Sequence, residues 1–252
     1  MKLTIIGSGT ILPDPARGPC ALLLEAAGRR ILVDGGSGTL RTLARLGADP
    51  RHLDAGVYSH RHLDHIGELP SLFFLFRVTG RVRAYPLFGG GGLGAFGERL
   101  EALHGRLTTD FEAPVHELSL SSADSVQIAP GLVLRTRPAN HTHGALHLRF
   151  EADHASVVFS GDTGPSPALA DLASGADLLV TECAFPAPNP DHLCPDDVAA
   201  IAAAARPGRI ALTHFYPEVD EGQALTRIAS SGVPVERAWD GWTWESRGPT
   251  PG

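Results

Sequence analysis

The stretch Ser59-His60-Arg61-His62-Leu63-Asp64-His65 places three histidines and an aspartate within six positions. It comes directly after Ala55–Tyr58, four apolar or small residues whose pattern predicts a short buried strand. On a loop, His60 and His62 can face one point while Asp64 and His65 turn toward a second point close by. Imidazole nitrogens and carboxylate oxygens are common ligands of divalent metals. The stretch therefore predicts a metal site at the end of a strand, and its two directions favour two metals.

Strand and helix patterns alternate on both sides of this stretch. Lys2–Ile6 predicts a strand, Ala21–Glu25 and Arg30–Asp34 predict a hairpin, and Gly89–Gly92 is typical of a flexible turn. Because no Pro-, Ser- or charge-rich linker divides the chain, we expect one α/β domain over residues 1–252, built from two similar halves. Further strands are predicted at 82–85, 132–134, 146–150, 156–159, 178–181 and 210–213, and helices at 39–46, 66–76, 93–101, 167–172 and 195–205.

Composition narrows the classes of partner. The 252 residues carry a net charge of −7, which provides no basic surface for a long nucleic acid. The longest apolar run, Leu69–Phe76, is far shorter than the roughly 18 residues of a membrane span. The apolar segment that follows Lys2 is too short for a secretory signal. We therefore expect a cytoplasmic protein with no membrane partner.

The H-x-H-x-D-H run resembles the signature of the metallo-β-lactamase fold, a superfamily of dinuclear metal hydrolases with a four-layer αββα sandwich. The two predicted halves agree with that architecture. The resemblance implies three further ligands at later strand ends: a histidine, a bridging aspartate and a final histidine. The candidates, in that order, are His141 in Pro138-Ala139-Asn140-His141, Asp162 in Ser160-Gly161-Asp162-Thr163, and His214 in Leu212-Thr213-His214.

The resemblance also implies a division of the ligands between two divalent metal ions, zinc being the first expectation and manganese or iron the alternatives. His143 competes with His141 for the third ligand position, and we favour His141 because it is nearer the Pro138 turn. Asp34 matches a family aspartate that orients the histidine loop, although it could also be a simple turn residue. The implied set is His60, His62 and His141 on one metal, Asp64, His65 and His214 on the other, and Asp162 bridging both.

Within the superfamily, the C-terminal half is most similar to the ribonuclease Z branch and the small phosphodiesterases near it. The matching segments are Ser160–Thr163, Gly175–Leu179, Thr181–Cys183, Asp191-His192 and Leu212–His214. This branch places a histidine that is not a ligand near the active site, which gives His192 the role of protonating the leaving oxygen or binding the phosphate. The other interpretation of His192 is a solvated loop residue. Asp64 would hold the attacking hydroxide and accept its proton.

Ribonuclease Z carries a long arm that holds transfer RNA, commonly between the strand after the third motif and the bridging aspartate. Here only eleven residues, Glu151 to Gly161, lie in that interval. Together with the net charge, this favours a phosphodiesterase that cleaves small or cyclic phosphodiesters through a metal-bound hydroxide. The open alternatives are a transfer-RNA 3′ endonuclease of the ribonuclease Z type, a lactonase or thioester hydrolase, and a non-catalytic accessory protein. A homodimer is a further expectation, because dimers are common in the family.

Overall fold

Two mixed β-sheets pack face to face in the computed structural model, which describes residues 1–105, 107–108, 110–118 and 125–246. The first sheet contains, in spatial order, β14 (Thr243–Glu245), β1 (Lys2–Gly7), β2 (Ala21–Ala26), β3 (Arg29–Val33), β4 (Ala55–Tyr58), β5 (Leu87–Gly90) and β6 (Val115–Leu118). The second contains β13 (Val235–Arg237), β12 (Ile210–Thr213), β11 (Leu178–Glu182), β10 (Ala155–Phe159), β9 (Leu146–Ala152), β8 (Leu132–Pro138) and β7 (Ser125–Ala129).

Helices cover the outer face of each sheet. They are α1 (Thr39–Arg45), α2 (Leu63–Ile66), α3 (Leu69–Val78), α4 (Leu93–His104), α5 (Pro167–Ala173), α6 (Pro195–Ala205) and α7 (Glu221–Ala229), with a 3-10 turn at Pro50–His52. One outer core packs Leu43 and Phe76 beneath the first sheet, and another packs Val198 and Ile228 beneath the second. Leu24 and Phe150 belong to the core between the sheets. The predicted four-layer αββα sandwich is therefore confirmed. In the part of the chain that the structure describes, no helix has the length and apolar character needed to cross a bilayer.

The parallel strands of the two sheets place the residues that follow their carboxyl ends at one edge of the fold. Strands β3 to β6 run parallel to one another, as do β10 to β13. Parallel neighbours need crossover connections, which here include α1, α3, α5 and α6. Strands β4, β10, β11 and β12 are buried along their whole length because both faces of the sheet are covered. Residues that follow the carboxyl ends of these strands are where an α/β fold places ligands.

Two local predictions differ from the structure, and both concern the approach to β5. Val82–Tyr85 is not a strand; Val82 is 84% exposed, and the strand begins only after Pro86. Gly89 and Gly90, expected in a turn, instead form the end of β5. A Cβ on Gly90 would overlap the carbonyl oxygen of Gly144, so glycine is required there by the close approach of another loop.

Candidate metal centre

The first cluster of potential ligands contains His60, His62, His141 and Asp162. One ligand atom from each lies within 4.8 Å of all the others. Nδ1 of His62 is 3.2 Å from Nε2 of His141. Oδ2 of Asp162 lies 3.8 Å from Nε2 of His60 and 4.0 Å from Nε2 of His141. Three imidazoles and one carboxylate oxygen therefore surround one point.

The second cluster contains Asp64, His65, His214 and again Asp162, with ligand atoms within 4.8 Å of one another. Oδ1 of Asp162 lies 3.3 Å from Nε2 of His65 and 3.6 Å from Nε2 of His214. Nε2 of His214 is also 3.4 Å from Oδ2 of Asp64. The carboxylate of Asp162 thus presents one oxygen to each cluster, which is the geometry that a bridging ligand needs.

The candidate ligands reach this point from strand ends in both sheets. His60 follows β4, Asp162 lies three residues after β10, and His214 is the first residue after β12. His214 has a φ of 57°, and Asp34, the first residue after β3, has a φ of 54°. Such left-handed backbone in residues other than glycine costs of order 1–3 kcal/mol and persists where surrounding contacts hold it. The amide of His214 donates to the carbonyl of Ser8, and that of Asp34 donates to the carbonyl of Val57.

Asp34 holds the histidine loop in place from beneath. Its Oδ1 accepts a hydrogen bond from the amide of Ser59 at 2.7 Å, and its Oδ2 accepts one from the Ser59 hydroxyl at 2.6 Å. Oδ2 also lies 2.7 Å from Nδ1 of His65, which leaves Nε2 of that ring facing Asp162. The Ser59 hydroxyl in turn lies 3.1 Å from Nδ1 of His60. Asp34 therefore orients residues from both clusters, as a carboxylate behind a metal-bound histidine does.

The ring nitrogens fit metal ions at these two points. Nε2 of His60 and Nε2 of His65 are buried and have no hydrogen-bond partner among the described residues. Buried polar atoms are nearly always satisfied, so such a pair calls for a partner of another kind. Burial lowers the pKa of His60, His62 and His141, which keeps these rings neutral with a lone pair to offer. A donor set of imidazoles and carboxylates is suited to zinc and similar divalent cations.

A buried glutamate pairs with His192 beside the second cluster. Nδ1 of His192 lies 3.0 Å from Oε2 of Glu182, and Oε1 of Glu182 accepts a hydrogen bond from the amide of Thr163 at 2.6 Å. Burial and the nearby Asp162 raise the pKa of Glu182. The ring of His192 packs near Phe185, with centroids 5.4 Å apart.

His192 also lines the cleft that opens above the ligands. The cleft has a volume of about 360 Å³. Its lining residues are Ile11, His62, Leu63, Asp64, His141, Asp162, His192 and Tyr216.

The structure brings the proposed ligands together and separates His143 from them. His143 is exposed, belongs to neither cluster, and uses its carbonyl oxygen to accept a hydrogen bond from Arg61 at 3.3 Å. The sequence reasoning assigned no role to Ser59, Glu182 or Tyr216. Glu182 could have been found, because the end of the strand Leu178–Glu182, which begins with three apolar residues, is an unusual place for a charge.

Comparisons with known proteins agree with this fold. The family model described as "Beta-lactamase superfamily domain" matches residues 29–215. A ribonuclease Z of Mycobacterium bovis is 32% identical over 251 residues, which cover 88% of this chain and 89% of the relative. A ribonuclease Z of Mycobacterium marinum is also 32% identical, over 252 residues, with the same coverage of 88% and 89%.

Solved structures show the same architecture. The metallo-β-lactamase fold protein YhfI from Bacillus subtilis superimposes with a TM-score of 0.83 at 22% identity, covering 97% of this chain and 98% of that one. The short form of human tRNase Z gives a TM-score of 0.79 at 23% identity, with coverage of 97% and 99%. A diphosphatase of the PhnP family gives 0.75 at 22% identity, covering 98% of both chains.

The fold and the clustered side chains define a metal-dependent hydrolase of the metallo-β-lactamase type. The chain belongs to the β-lactamase superfamily, in its ribonuclease Z-like branch. The predicted family, fold and enzyme class are confirmed.

Proposed function

We propose that this protein is a ribonuclease Z-type endonuclease that hydrolyses a phosphodiester bond at the 3′ side of transfer-RNA precursors with two divalent metal ions. The observation that carries the proposal is the carboxylate of Asp162, which presents one oxygen to each of two ligand clusters. Relatives named ribonuclease Z, 32% identical over nearly the whole chain, favour RNA as the substrate class. The comparisons therefore support the endonuclease alternative better than the small or cyclic phosphodiesters that the sequence first favoured.

Small substrates were favoured because the chain is short in the interval where ribonuclease Z carries the long arm that holds transfer RNA. Strands β9 and β10 are joined by Asp153 and His154 alone, with φ values of 53° and 59°, so the interval between them is a tight two-residue turn. The ribonuclease Z of Mycobacterium bovis nevertheless aligns over 89% of its own length. A chain of similar extent therefore carries that name, and the short turn gives less weight to small substrates than the sequence alone suggested.

Each predicted ligand has a defined task in this proposal. His60, His62 and His141 would hold one ion, and Asp64, His65 and His214 the other, while Asp162 would bind both. When bound, two such ions lower the pKa of a water molecule and neutralise charge on the phosphate oxygens. Asp64, whose pKa stays low despite burial because of its hydrogen bond with His214, can accept the proton of the attacking water.

His192 has the task of delivering a proton to the departing oxygen. Its Nδ1 is engaged by Glu182, which leaves Nε2 for a group bound in the cleft. The Glu182 carboxyl group fixes the orientation of the ring and stabilises its positive charge before transfer. A positioned general acid of this kind contributes typically 10²- to 10⁴-fold to the rate.

The test uses purified protein loaded with zinc or manganese and assayed in parallel on four substrates: a transfer-RNA precursor with a 3′ trailer, a 2′,3′-cyclic nucleotide, a lactone and a thioester. Two metals per chain and efficient cleavage of the precursor at the 3′ end are expected. Turnover of the cyclic nucleotide alone would replace the proposal with a small-molecule phosphodiesterase. Turnover of the lactone or thioester alone would replace it with an acyl hydrolase.

A matched pair of variants tests the ligand set within the same experiment. His141→Ala should lose at least one metal per chain and most activity, because its ring closes the first cluster. His143→Ala should retain both metals and activity, because His143 is exposed outside the clusters. The reverse result would exchange the two assignments.

A further inference from the structure

A second cavity, of about 620 Å³, opens beside the metal cleft between the β1–β2 loop and α1. Ile11 lines both spaces, so the cavity lies next to the cleft where the reaction would occur. We call it the α1 groove and define it by Ile11, Leu12, Arg17, Arg41, Arg45 and Asp240. In the proposed reaction, tasks fall to residues of the metal cleft, which Ile11 also lines. The other residues of the α1 groove have none.

Some charged side chains of the α1 groove have partners within the described part of the protein and others do not. Arg41 and Arg45 are exposed, lie one turn apart on α1, and form no ion pair among the residues that the structure describes. Arg17, in contrast, is paired with Glu221. The carboxylate of Asp240 accepts hydrogen bonds from the Ser8 amide at 2.9 Å, the Ser8 hydroxyl at 2.9 Å and the Gly18 amide at 2.8 Å. The groove therefore has two guanidinium groups available to an anion, while the half-buried Asp240 and the exposed Asp14 of the same cavity both accept hydrogen bonds from backbone amides.

The groove also presents apolar surface at its mouth. Ile11 is 53% exposed and Leu12 is 43% exposed, which is unusual for large aliphatic side chains that lie next to each other. The loop that carries them is held at its base, because Asp240 binds both Ser8 and Gly18 and the Gly9 amide donates to the Gly18 carbonyl at 2.8 Å. The surface is thus formed before any ligand arrives, which lowers the entropic cost of binding.

We propose that the α1 groove binds a single-stranded segment of RNA as it leaves the metal cleft, with phosphates at Arg41 and Arg45 and a base against Ile11 and Leu12. Single-stranded nucleic acids are bound by positive groups along the backbone together with flat or apolar surfaces for the bases. The groove lies next to the cleft at Ile11, and this position favours a strand that extends from the cleft over a free anion. The inference rests on the proposed function, because that function makes RNA the substrate in the neighbouring cleft. Two exposed arginines in one groove would also explain how a chain of net charge −7 can hold such a substrate.

The test measures binding of a single-stranded RNA oligonucleotide with non-cleavable linkages to the metal-loaded protein, across a range of salt concentrations. The variant is Arg41→Gln/Arg45→Gln. The control is Arg99→Gln/Arg206→Gln, which removes two exposed arginines that lie outside the groove and so changes the net charge equally. Metal content and thermal unfolding of both variants verify that they are folded.

The groove variant should weaken binding by roughly tenfold at low salt and should reduce the slope of log K against log salt by about 1.4, the value for two lost phosphate contacts on a single strand. The control should bind as wild type does. Equal affinities and equal slopes for the groove variant and the control would overturn the groove. Failure of the wild-type protein to cleave a transfer-RNA precursor would contradict the proposed function. In that case, weaker RNA binding by the groove variant than by the control would still support the α1 groove as a binding surface.

Discussion

Nδ1 of His192 lies 3.0 Å from Oε2 of Glu182, whose other oxygen accepts a hydrogen bond from the amide of Thr163. Thr163 directly follows Asp162, so one buried carboxyl group connects His192 to the strand end that carries Asp162. Glu182 is 1% exposed and closes β11 between β10 and β12. The position of His192 is therefore coupled to the geometry of the metal centre, and its ring forms a separate group with Glu182 and His214, whose ligand atoms lie within 4.8 Å of one another.

His192→Ala should retain two metals per chain and lower kcat by roughly 10²- to 10⁴-fold on a diester with an alkoxide leaving group, because a general acid is lost. A nitrophenolate needs little protonation, so the loss on a nitrophenyl diester should be smaller. Metal analysis and parallel assays of the two substrates check this. Loss of a metal would make His192 a ligand, and an equal loss on both substrates would indicate phosphate binding instead of acid catalysis.

Glu182→Gln should show the same dependence on the leaving group with a smaller loss, since the amide keeps the size of the side chain but cannot stabilise a charged His192 ring. Its kcat should fall while KM for the diester changes little, because Glu182 acts through His192 and does not line the cleft. The measurement is the kcat and KM of both substrates. A fall that is identical for the alkoxide and the nitrophenolate would assign Glu182 a purely structural role.

Asp162→Ala should remove most of the bound metal, and activity with it, since this carboxylate offers one oxygen to each cluster and offsets the repulsion between two cations. Asp34→Asn is the comparison, because Asp34 contacts His65 and Ser59 from behind and belongs to neither the first nor the second cluster. It should lower metal affinity by roughly 10- to 100-fold. Elemental analysis after equilibrium with a chelator distinguishes the two. Retention of two metals by Asp162→Ala would place the bridge elsewhere.

The histidine stretch and most strand ends could be predicted from sequence because each is defined by a pattern within a short segment. Buried strands such as Ile210–Thr213 are continuous apolar runs, and the ligand after each run needs no knowledge of distant contacts. His141 and His143 were harder, because both lie in one loop and only the packed structure shows which ring points into the first cluster. The family resemblance supplied the order of the ligands, and the fold supplied their distances.

The missed features all depend on contacts between distant parts of the chain. Gly90 was assigned to a turn because glycines are frequent in turns, whereas its requirement comes from Gly144, which approaches it from another loop. The role of Glu182 depends on β11 lying between β10 and β12, which sets its carboxyl group beside Thr163. Pattern reasoning on single segments cannot detect such pairings.

His147 should make stability depend on pH in a defined window. Its ring is fully buried, and Nδ1 lies 2.7 Å from the Ser160 carbonyl oxygen while Nε2 lies 3.0 Å from the Ser166 hydroxyl. Burial lowers its pKa from 6.5 to about 4. The unfolded chain therefore takes up the proton first, so stability is complete above pH 6.5 and declines as the pH falls toward 4, by about 3 kcal/mol in total.

His147→Gln should be less stable than wild type at pH 7.5 and should lose less stability between pH 6.5 and 4, with a slope shallower by about one proton. Urea unfolding at a series of pH values gives both slopes. His104→Gln, the same change at an exposed histidine, should leave the slope unchanged. Parallel slopes for wild type and His147→Gln would show that His147 does not carry this pH dependence.

Gly90→Ala should destabilise the protein and weaken metal binding together. The added Cβ would overlap the Gly144 carbonyl oxygen, and Gly144 lies in the loop that carries His141 between β8 and β9. Displacing this loop should cost about 1–3 kcal/mol of unfolding free energy and lower the affinity of the first cluster. Gly97→Ala, a substitution inside α4 with open space around the new methyl group, should instead raise stability by about 0.5–1 kcal/mol. Urea unfolding and zinc titration of both variants measure the two effects. Normal zinc affinity in a destabilised Gly90→Ala protein would show that the packing of β5 does not determine the placement of His141.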